Sequence, residues 1–341
     1  MPRGSRPTIR EVARVAGVSP ATVSRVLNKQ EDVSGELRES VLKAVRELGY
    51  VNGRARPVRS GGATGLVAVS VPMVHHSYFA EILAGATEAC YEQGLAAVLT
   101  PTFHQHDREA SALTQLASGA TDGALLILTE ESDEELSLLH GRGYPFVVID
   151  PRRQLDNRVP TVTANNISGA REATEHLLGL GHRRIATISG PRGWVATEER
   201  LRGYRGALAD AGVAFSPDLQ LSANFRTNGG KEAAGLLLDR PDPPTAIFAF
   251  NDMMAIGVLH AARERGVHIP EELSLVGFDD TFESSVSIPE LTTVRQPLAE
   301  MGRMAVGQLV RLLRRRRIEV LQLQLETKLV CRSSTAPVGR G

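Results

Sequence analysis

Features typical of secreted, disulfide-bonded and membrane proteins are missing from this 341-residue sequence. Its two cysteines, Cys90 and Cys331, give neither a metal-ligand spacing nor a disulfide framework. Its first residues, MPRGSRPT, contain no apolar run, so the sequence predicts no signal peptide. No stretch approaches the roughly 20 apolar residues that span a membrane. We therefore expect a soluble protein of the cytoplasm.

Motifs of common enzyme classes are also absent. The sequence has no Gly-x-x-x-x-Gly-Lys phosphate loop, no Gly-x-Ser-x-Gly nucleophile turn and no His-Glu-x-x-His zinc helix. The histidines His75, His76, His104 and His106 lack a second ligand pair at helical spacing. The sequence therefore predicts no enzyme activity, no metal site and no cofactor.

The charges of the chain balance overall but not locally. The whole sequence contains 39 Arg and Lys against 39 Asp and Glu, whereas residues 1–60 contain 12 against 6. The remainder therefore carries an equal acidic excess. A basic N-terminal module on an acidic body indicates a polyanionic partner for the first part of the chain only. The length suits two or three domains rather than one.

Thr8 to Asn28 reads TIREVARVAGVSPATVSRVLN, a pattern that predicts two short helices joined by a tight turn. Thr8 and Glu11 match the spacing of a capping box at the start of the first predicted helix, and Gly17 is suited to end it. Ser19 is suited to cap the second helix, whose valines recur at helical spacing and can pack on the first. A capped helix with small, polar and basic residues at its exposed end fits a DNA major groove, although an ordinary helical hairpin would show the same pattern.

The segment VSPATVSRVLN, together with the following VSGELRESVLKAVRELGY, closely resembles the headpiece of the lactose repressor and purine repressor family. The resemblance covers residues 7–335. It implies a helix-turn-helix DNA-binding headpiece at residues 1–50 and double-stranded operator DNA as a partner. The headpiece residues for which we expect contact with the operator are Thr8, Ser19, Pro20, Ala21, Thr22, Ser24, Arg25 and Asn28.

Residues 51–64, VNGRARPVRSGGAT, form a linker rich in glycine and arginine. In the resembled family this segment is a hinge that coils into a short helix on operator DNA and inserts an apolar side chain into the minor groove. The resemblance assigns that insertion to Val58, and the charges of Arg54 and Arg56 can contact phosphates. Pro57 disfavours a helix here, and the proline that the family has before Asn52 is missing. A plain flexible linker is the alternative.

From residue 65 onward, short apolar runs such as GLVAVSVP, GALLILT and FVVID alternate with amphipathic stretches. Alternating buried strands and helices predict parallel sheets with helices on both faces, and the length suits two such units. The family resemblance likewise implies a two-lobed, periplasmic-binding-protein-like core. The predicted fold is an N-terminal all-α helix-turn-helix headpiece followed by this α/β core.

The core is predicted to span residues 65–335, with the chain crossing between the lobes three times. The first lobe is expected to comprise residues 65–162 and 294–322. The second lobe is expected to comprise residues 163–293 and 323–335. We expect residues 336–341 to be disordered, as chain termini commonly are.

Ligands of open parallel sheets bind beyond the carboxyl ends of the strands, and with two lobes those ends face each other across a cleft. Four candidate ligand-binding residues occur at or near predicted strand ends: Asp150, Asn165, Trp194 and Gln296. Asp150 can accept hydrogen bonds from sugar hydroxyls or cap a turn. Trp194 can stack on a sugar ring or pack within its own loop.

The family resemblance adds five residues to this candidate site. It assigns effector contacts to Arg200, in the pattern Arg-x-x-Gly-aromatic, and to Asn251 and Asp279. It also assigns aromatic contacts to Phe79 and Phe225, although Phe79 can instead pack the first helix of the core. A guanidinium forks onto adjacent hydroxyls or a carboxylate, and directional polar groups beside flat apolar faces are typical of a sugar site.

The sequence therefore predicts a ligand-responsive transcriptional repressor that binds specific DNA as a homodimer. Its operator affinity would be modulated by a small molecule, a sugar or sugar derivative, bound between the lobes of the core. Two alternatives stay open. One is a cytoplasmic sugar-binding module without a DNA function, and the other is a corepressor-type sensor of a nucleobase-like ligand.

Overall fold

The structure is a computed structural model that describes residues 9–27, 34–48, 63–107, 110 and 119–339. The chain divides into two compact units, Met1–Gly62 and Ala63–Gly341. Of the predicted hinge, residues 51–64, only positions 63 and 64 belong to the described residues. Five residues with a predicted DNA contact also lie outside them: Thr8, Asn28, Arg54, Arg56 and Val58.

The described part of the first unit is helical. Its helices are α1 (Ile9–Ala16), α2 (Pro20–Leu27) and α3 (Gly35–Leu48). The first ends at Gly17, where φ is +67° and where the N–H of Val18 donates to the carbonyl of Ala13 at 3.0 Å. The N–H of Thr22 donates to Oγ of Ser19 at 3.1 Å, so Ser19 caps α2 as predicted. The helices share one set of buried residues: Val12, Ala13, Val23, Val26, Val41 and Ala44.

The second unit begins with a sheet that forms the first lobe. Its strands are β1 (Leu66–Val71), β2 (Ala96–Pro101), β3 (Gly123–Ile127), β4 (Phe146–Ile149), β5 (Thr161–Ala164) and β11 (Gln322–Leu325). Their order is β11-β5-β4-β3-β1-β2, and the paired strands are parallel. The helices of this lobe are α4 (Ser77–Glu92), α5 (Asp133–Gly141) and α11 (Leu298–Leu313).

Alternate residues of the first sheet pack against different helices. Val67 and Val69 of β1 lie in an apolar cluster with α4 and α11, whereas Ala68 lies in another with α5. Helices therefore cover both faces of the sheet, as the uninterrupted apolar runs of its strands predict.

A second sheet forms the second lobe. Its strands are β6 (Ile185–Ser189), β7 (Gln220–Ser222), β8 (Ala246–Ala249), β9 (Ser274–Asp279), β10 (Thr292–Arg295) and β12 (Lys328–Val330). Their order is β12-β10-β9-β8-β6-β7, and only the pairing of β12 with β10 is antiparallel among the strands described. The helices of this lobe are α6 (Asn166–Gly179), α7 (Val195–Asp210), α8 (Thr227–Leu238), α9 (Asp252–Glu264) and α10 (Phe282–Val286).

The sheet pairing moves the predicted lobe boundaries by a few residues. The predicted boundary at 162/163 would cut β5, which pairs with β11 up to Ala164. The one at 293/294 would cut β10, and the one at 322/323 would cut β11. The chain therefore crosses between the lobes after β5, after β10 and between β11 and β12. The apolar pattern marks the middle of a strand, whereas the boundary depends on its last hydrogen-bonded residue.

The prediction that residues 336–341 are disordered is wrong for Ala336–Gly339, while residues 340 and 341 lie outside the described chain. The carbonyl of Ala336 lies 3.1 Å from Nε2 of the buried His182. The N–H of Val338 donates to the carbonyl of Leu180 at 3.0 Å. These bonds hold the tail on the second lobe.

Across the described residues, no helix combines the length and apolarity needed to cross a membrane.

Candidate functional site

The exposed face of α2 carries the described part of the predicted DNA contacts. Ser19, Pro20, Ala21 and Arg25 are exposed, and Thr22 and Ser24 are half-buried. The opposite face of the helix is buried in the headpiece through Val23 and Val26. Oγ of Ser19 also lies 2.9 Å from the hydroxyl of Thr22, so this pair fixes the helix start that a DNA groove would meet.

A cavity of about 410 Å³ lies between the two lobes of the core, and we call it the cleft cavity. Both lobes contribute to its lining, as the position of strand ends predicts. Seven of the nine residues with a predicted ligand contact line it: Phe79, Asp150, Trp194, Arg200, Phe225, Asn251 and Asp279.

The backbone at the strand ends of the cleft cavity is unusual. Leu128, Asp150, Phe225 and Asp279 line the cavity with φ angles of 51°, 51°, 60° and 116°. Non-glycine residues rarely adopt positive φ, and each such position costs on the order of 1–3 kcal/mol. A fold keeps this strain where the surrounding structure holds the chain, and such positions are concentrated at binding sites.

Arg200 is the most tightly held residue of the cavity, at 3% exposure. Its Nε donates to Oδ1 of Asn166 at 2.9 Å, and its Nη1 donates to the carbonyl of Phe250. Its guanidinium carbon lies 3.7 Å from the ring centre of Phe278. Its Nη2 lies 3.8 Å from Oδ1 of Asp279. A guanidinium held on three sides presents its remaining donors in one direction.

Asp279 is buried beside Arg200 at the end of β9. Its Oδ1 accepts a hydrogen bond of 2.7 Å from Nε2 of Gln296. Burial raises the pKa of Asp279 well above its ordinary value, although the charge of Arg200 acts in the opposite direction. An ionised Asp279 therefore has a strong need for donors, which the hydroxyl groups of a ligand can supply.

Asp252 braces the turn that follows Asp279. Its Oδ2 accepts from the N–H of Thr281 at 2.8 Å, and its Oδ1 accepts from the hydroxyl of Thr293 at 2.5 Å. Burial raises the pKa of Asp252 to about 7. Asp252 is fully buried and does not line the cavity, so its bonds support the turn next to Asp279.

The first lobe supplies a second buried carboxylate to the cavity. Oδ2 of Asp150 accepts a hydrogen bond of 2.6 Å from the hydroxyl of Tyr78, on α4. Burial raises the pKa of Asp150, while the Tyr78 hydrogen bond and Arg200 act against that shift. Burial and then the charge of Asp150 raise the pKa of Tyr78 well above its ordinary value, so Tyr78 remains a donor at neutral pH.

Aromatic rings form part of the cavity wall in both lobes. The ring centres of Trp194 and Phe225 lie 5.5 Å apart with an interplanar angle of 42°. In the first lobe, Phe79 packs edge-to-face on Tyr78 at 5.2 Å and belongs to the apolar core. Phe79 therefore packs α4, as one of its two predictions states, and also lines the cavity, while its ligand contact stays a prediction.

Residues 8–52 match the family described as bacterial regulatory proteins, lacI family, and residues 174–335 match the periplasmic binding protein-like domain. The transcriptional regulator CelR of Thermobifida fusca is 37% identical over 342 residues, covering 98% of this chain and 100% of CelR. The chain belongs to the lacI family.

Two solved structures resemble this lacI-family chain over nearly its whole length. A complex of a transcriptional regulator CelR with cellobiose has a TM-score of 0.73 and 37% identity, covering 96% of this chain and 100% of that chain. A lac repressor dimer bound to operator and the anti-inducer ONPF has a TM-score of 0.76 and 27% identity, covering 97% and 100%. As a lacI-family member, the chain is a DNA-binding transcriptional regulator and not an enzyme.

Two predicted ligand contacts of this lacI-family chain do not agree with the lining of the cavity. Asn165 caps α6, since its Oδ1 accepts from the N–H of Ser168 at 3.1 Å. The neighbouring Asn166 is the amide that turns inward and contacts Arg200. Gln296 is buried behind Asp279, so it positions the carboxylate instead of lining the cavity. Asn251 does line the cavity, but it also caps α9 through the N–H of Met254 at 2.9 Å.

Several cavity residues of this lacI-family core were not predicted as ligand contacts. The main ones are Met73, His76, Tyr78, His104, Asn224 and Arg226. Most of them follow β1, β2 or β7, so the strand-end rule that indicated Asp150 would also have indicated them. The exception is Tyr78, which lies in the first turn of an apolar helix and reads as a core residue.

His106, described above as lacking a partner for a metal site, lies beside two carboxylates. Its Nε2 is 3.0 Å from Oε1 of Glu135, and its Nδ1 is 3.8 Å from Oε2 of Glu131. Glu135 also forms a capping box with Ser132 at the start of α5. Glu135 thus both caps α5 and contacts His106.

Proposed function

We propose that this chain is a transcriptional repressor whose affinity for operator DNA is modulated by a neutral sugar bound in the cleft cavity. The observation that carries the proposal is the composition of the cavity, which combines carboxylates, an arginine and an amide with aromatic faces from both lobes. Sugar hydroxyls need donors and acceptors in fixed directions, and the apolar faces of the sugar ring suit aromatic side chains.

The charges around the cavity favour a neutral ligand. An anionic ligand would face two buried carboxylates, Asp150 and Asp279. A cationic ligand would face Arg200 and Arg226, both of which line the cavity. In a site of low dielectric constant, such like-charge contacts are costly, whereas hydroxyl groups can bond to either sign of charge.

A sugar of two rings is the first candidate. The related CelR structure is a complex with cellobiose. The cavity volume of about 410 Å³ lies within the range of pockets that enclose small molecules, about 300–1,000 Å³. We therefore take cellobiose as the first probe of the site.

Operator recognition in this proposal uses two headpieces of a homodimer, which present two copies of α2 to a pseudo-palindromic site in the cytoplasm. A related lac repressor structure is a dimer bound to operator. A ligand that contacts both lobes favours one lobe arrangement and so shifts the population that binds DNA. Operator and sugar must then change each other's affinity by the same factor.

The proposal is tested by thermal unfolding of the full chain against a panel of monosaccharides, disaccharides, nucleobases and nucleosides. A neutral sugar at 100 times its Kd should raise the free energy of unfolding by about 2.7 kcal/mol. The same sugar should change affinity for a duplex selected from a random pool, and that affinity should fall as salt rises. Stabilisation by a nucleobase alone would favour the corepressor alternative, and absence of DNA binding at low salt would contradict a repressor.

A further inference from the structure

Arg152, in the first lobe just after Asp150, is anchored by two neighbours of its own lobe. Its Nη1 donates to Oε1 of Glu130, and its Nη2 lies 2.7 Å from Nδ1 of His104. Its side chain is 13% exposed. A guanidinium held at both terminal nitrogens has little freedom to turn away, so its flat face has a fixed direction.

That flat face covers a residue of the second lobe. The guanidinium carbon of Arg152 lies 4.6 Å from the ring centre of Trp194, the only tryptophan in the sequence. The backbone of Arg152 makes a second bond across the lobes, because its carbonyl accepts from the N–H of Val195 at 2.9 Å. Trp194 is the N-cap of α7 and makes no side-chain capping bond there. The first lobe therefore supplies a partner for an end amide of a second-lobe helix.

Trp194 lies between two spaces. It lines the cleft cavity on one side, and it also lines a neighbouring groove of about 790 Å³. Arg152 lines that groove, whereas its anchor His104 lines the cavity. The contact between Arg152 and Trp194 thus stands at the boundary between the cavity and the groove.

We propose that Arg152, Trp194 and Val195 form a gate that closes the cleft cavity toward this groove and thereby limits the length of the ligand that the cavity accepts. All contacts of the gate join protein groups, so it closes without a ligand. A ligand longer than the cavity has to break the contact between Arg152 and Trp194 in order to extend into the groove. The consequence for sugars rests on the proposed function, but the existence of the gate does not.

The gate is tested first on the ligand-free full chain, in which Trp194 is the sole fluorescent tryptophan. The variant Arg152→Met retains an unbranched stem but has no guanidinium, and Arg153→Ala is the matched control. Arg153 is an exposed neighbour whose Nη2 donates to the carbonyl of Glu130 at 3.3 Å. The readouts are quenching of Trp194 by acrylamide and hydrogen exchange of the Val195 amide.

Arg152→Met should speed exchange of the Val195 amide roughly threefold to thirtyfold, the range expected for loss of one cation–π contact. It should also increase acrylamide quenching of Trp194, and Arg153→Ala should change neither. Arg152→Lys keeps a charge that can still lie over the Trp194 ring but loses the planar fork that contacts both Glu130 and His104. Its effect should therefore lie between those of the wild type and Arg152→Met. Equal exchange and equal quenching in the wild type and in both Arg152 variants would overturn the gate.

The effect on ligand length is then measured with cellobiose and cellotriose. The wild type should bind cellotriose about tenfold or more weakly than cellobiose, and Arg152→Met should reduce that ratio to about threefold or less. An unchanged ratio, with the gate shown to open, would overturn the role in ligand length. If neither sugar binds any variant although exchange and quenching respond, the choice of sugar fails and the gate stands.

Discussion

Nη2 of Arg200 lies 3.8 Å from Oδ1 of Asp279, and both side chains belong to the second lobe. The other buried carboxylate of the cavity, Asp150, belongs to the first lobe and is held by Tyr78. A ligand that bonds to both sites therefore joins the lobes through its own hydroxyl groups. The contacts that bind the ligand therefore also favour the closed arrangement of the lobes.

The first prediction concerns Asp279→Asn. Asparagine has nearly the same shape, tolerates the positive φ of this position and can still accept from Gln296. It removes the charge that a ligand hydroxyl would meet. Loss of a charged hydrogen bond costs about 1.5–3 kcal/mol, so cellobiose affinity measured by calorimetry should fall roughly 10- to 150-fold.

Stability separates this effect from misfolding. Burial raises the pKa of Asp279, so the ionised carboxylate costs the folded state free energy that an amide does not. The amide also leaves the buried guanidinium of Arg200 without its carboxylate, 3.8 Å away, and this loss opposes the gain. The midpoint of thermal unfolding of Asp279→Asn should therefore differ little from that of the wild type at pH 7. Normal sugar affinity in a stably folded variant would show that the charge of Asp279 does not contribute to sugar binding.

The second prediction concerns the wall beneath Phe225. A Cβ added at Gly190 would lie 2.0 Å from Cζ of Phe225 and 2.6 Å from Oγ1 of Thr197. Gly190→Ala should therefore displace the ring and destabilise the fold by about 1–3 kcal/mol, with weaker sugar binding. The control is Gly179→Ala at the end of α6, where the added Cβ meets open space and the φ is ordinary. A control and variant of equal stability in urea unfolding would contradict this account.

Local chemistry allowed much of the fold to be predicted. The cap at Ser19 and the turn at Gly17 depend on residue types that few other positions tolerate, and both are confirmed. Uninterrupted apolar runs indicated strands covered on both faces. By contrast, apolar patterning is weak in β12, which contains the exposed Lys328 and pairs antiparallel at the edge of its sheet.

The residues that escaped prediction depend on distances between elements. Whether Asn165 or Asn166 turns toward Arg200 depends on the residue at which α6 begins, and a shift of one residue exchanges their roles. The contact of Arg152 with Trp194 joins two lobes. In the sequence, each of these residues has the pattern of an ordinary loop side chain. Periodicity and residue type carry no information about such a contact.

The third prediction concerns the headpiece. Arg25 is exposed on α2, opposite the buried Val23 and Val26. Side-chain contacts to base edges contribute about 1–3 kcal/mol each, so Arg25→Ala should weaken binding to the selected duplex roughly 5- to 150-fold. Lys43→Ala, an exposed site on α3, removes the same charge elsewhere in the unit. If both variants lose affinity equally in fluorescence titrations, Arg25 contributes only through charge.

The fourth prediction is that the Arg152 gate opens as the solution is acidified. Burial and the charge of Arg152 lower the pKa of His104 below its ordinary value of 6.5. Glu130 acts in the opposite direction, and Arg226 and His76 add to the lowering. Because His104 faces Arg152 through Nδ1, the closed gate requires the neutral imidazole.

The direction of the pH effect follows from the difference in the pKa of His104 between the closed and the open gate. When the gate opens, His104 gains solvent and its pKa moves back toward 6.5, so the open form binds the proton more readily. The closed form is therefore fully favoured above pH 6.5 and loses stability as the pH falls from 6.5 through the lowered pKa. Acrylamide quenching of Trp194 should rise over that interval in the wild type. His104→Gln retains an acceptor but does not titrate, so its quenching should be flat with pH, whereas His106→Gln should retain the wild-type slope. A pH response that survives in His104→Gln would assign the titration to another group.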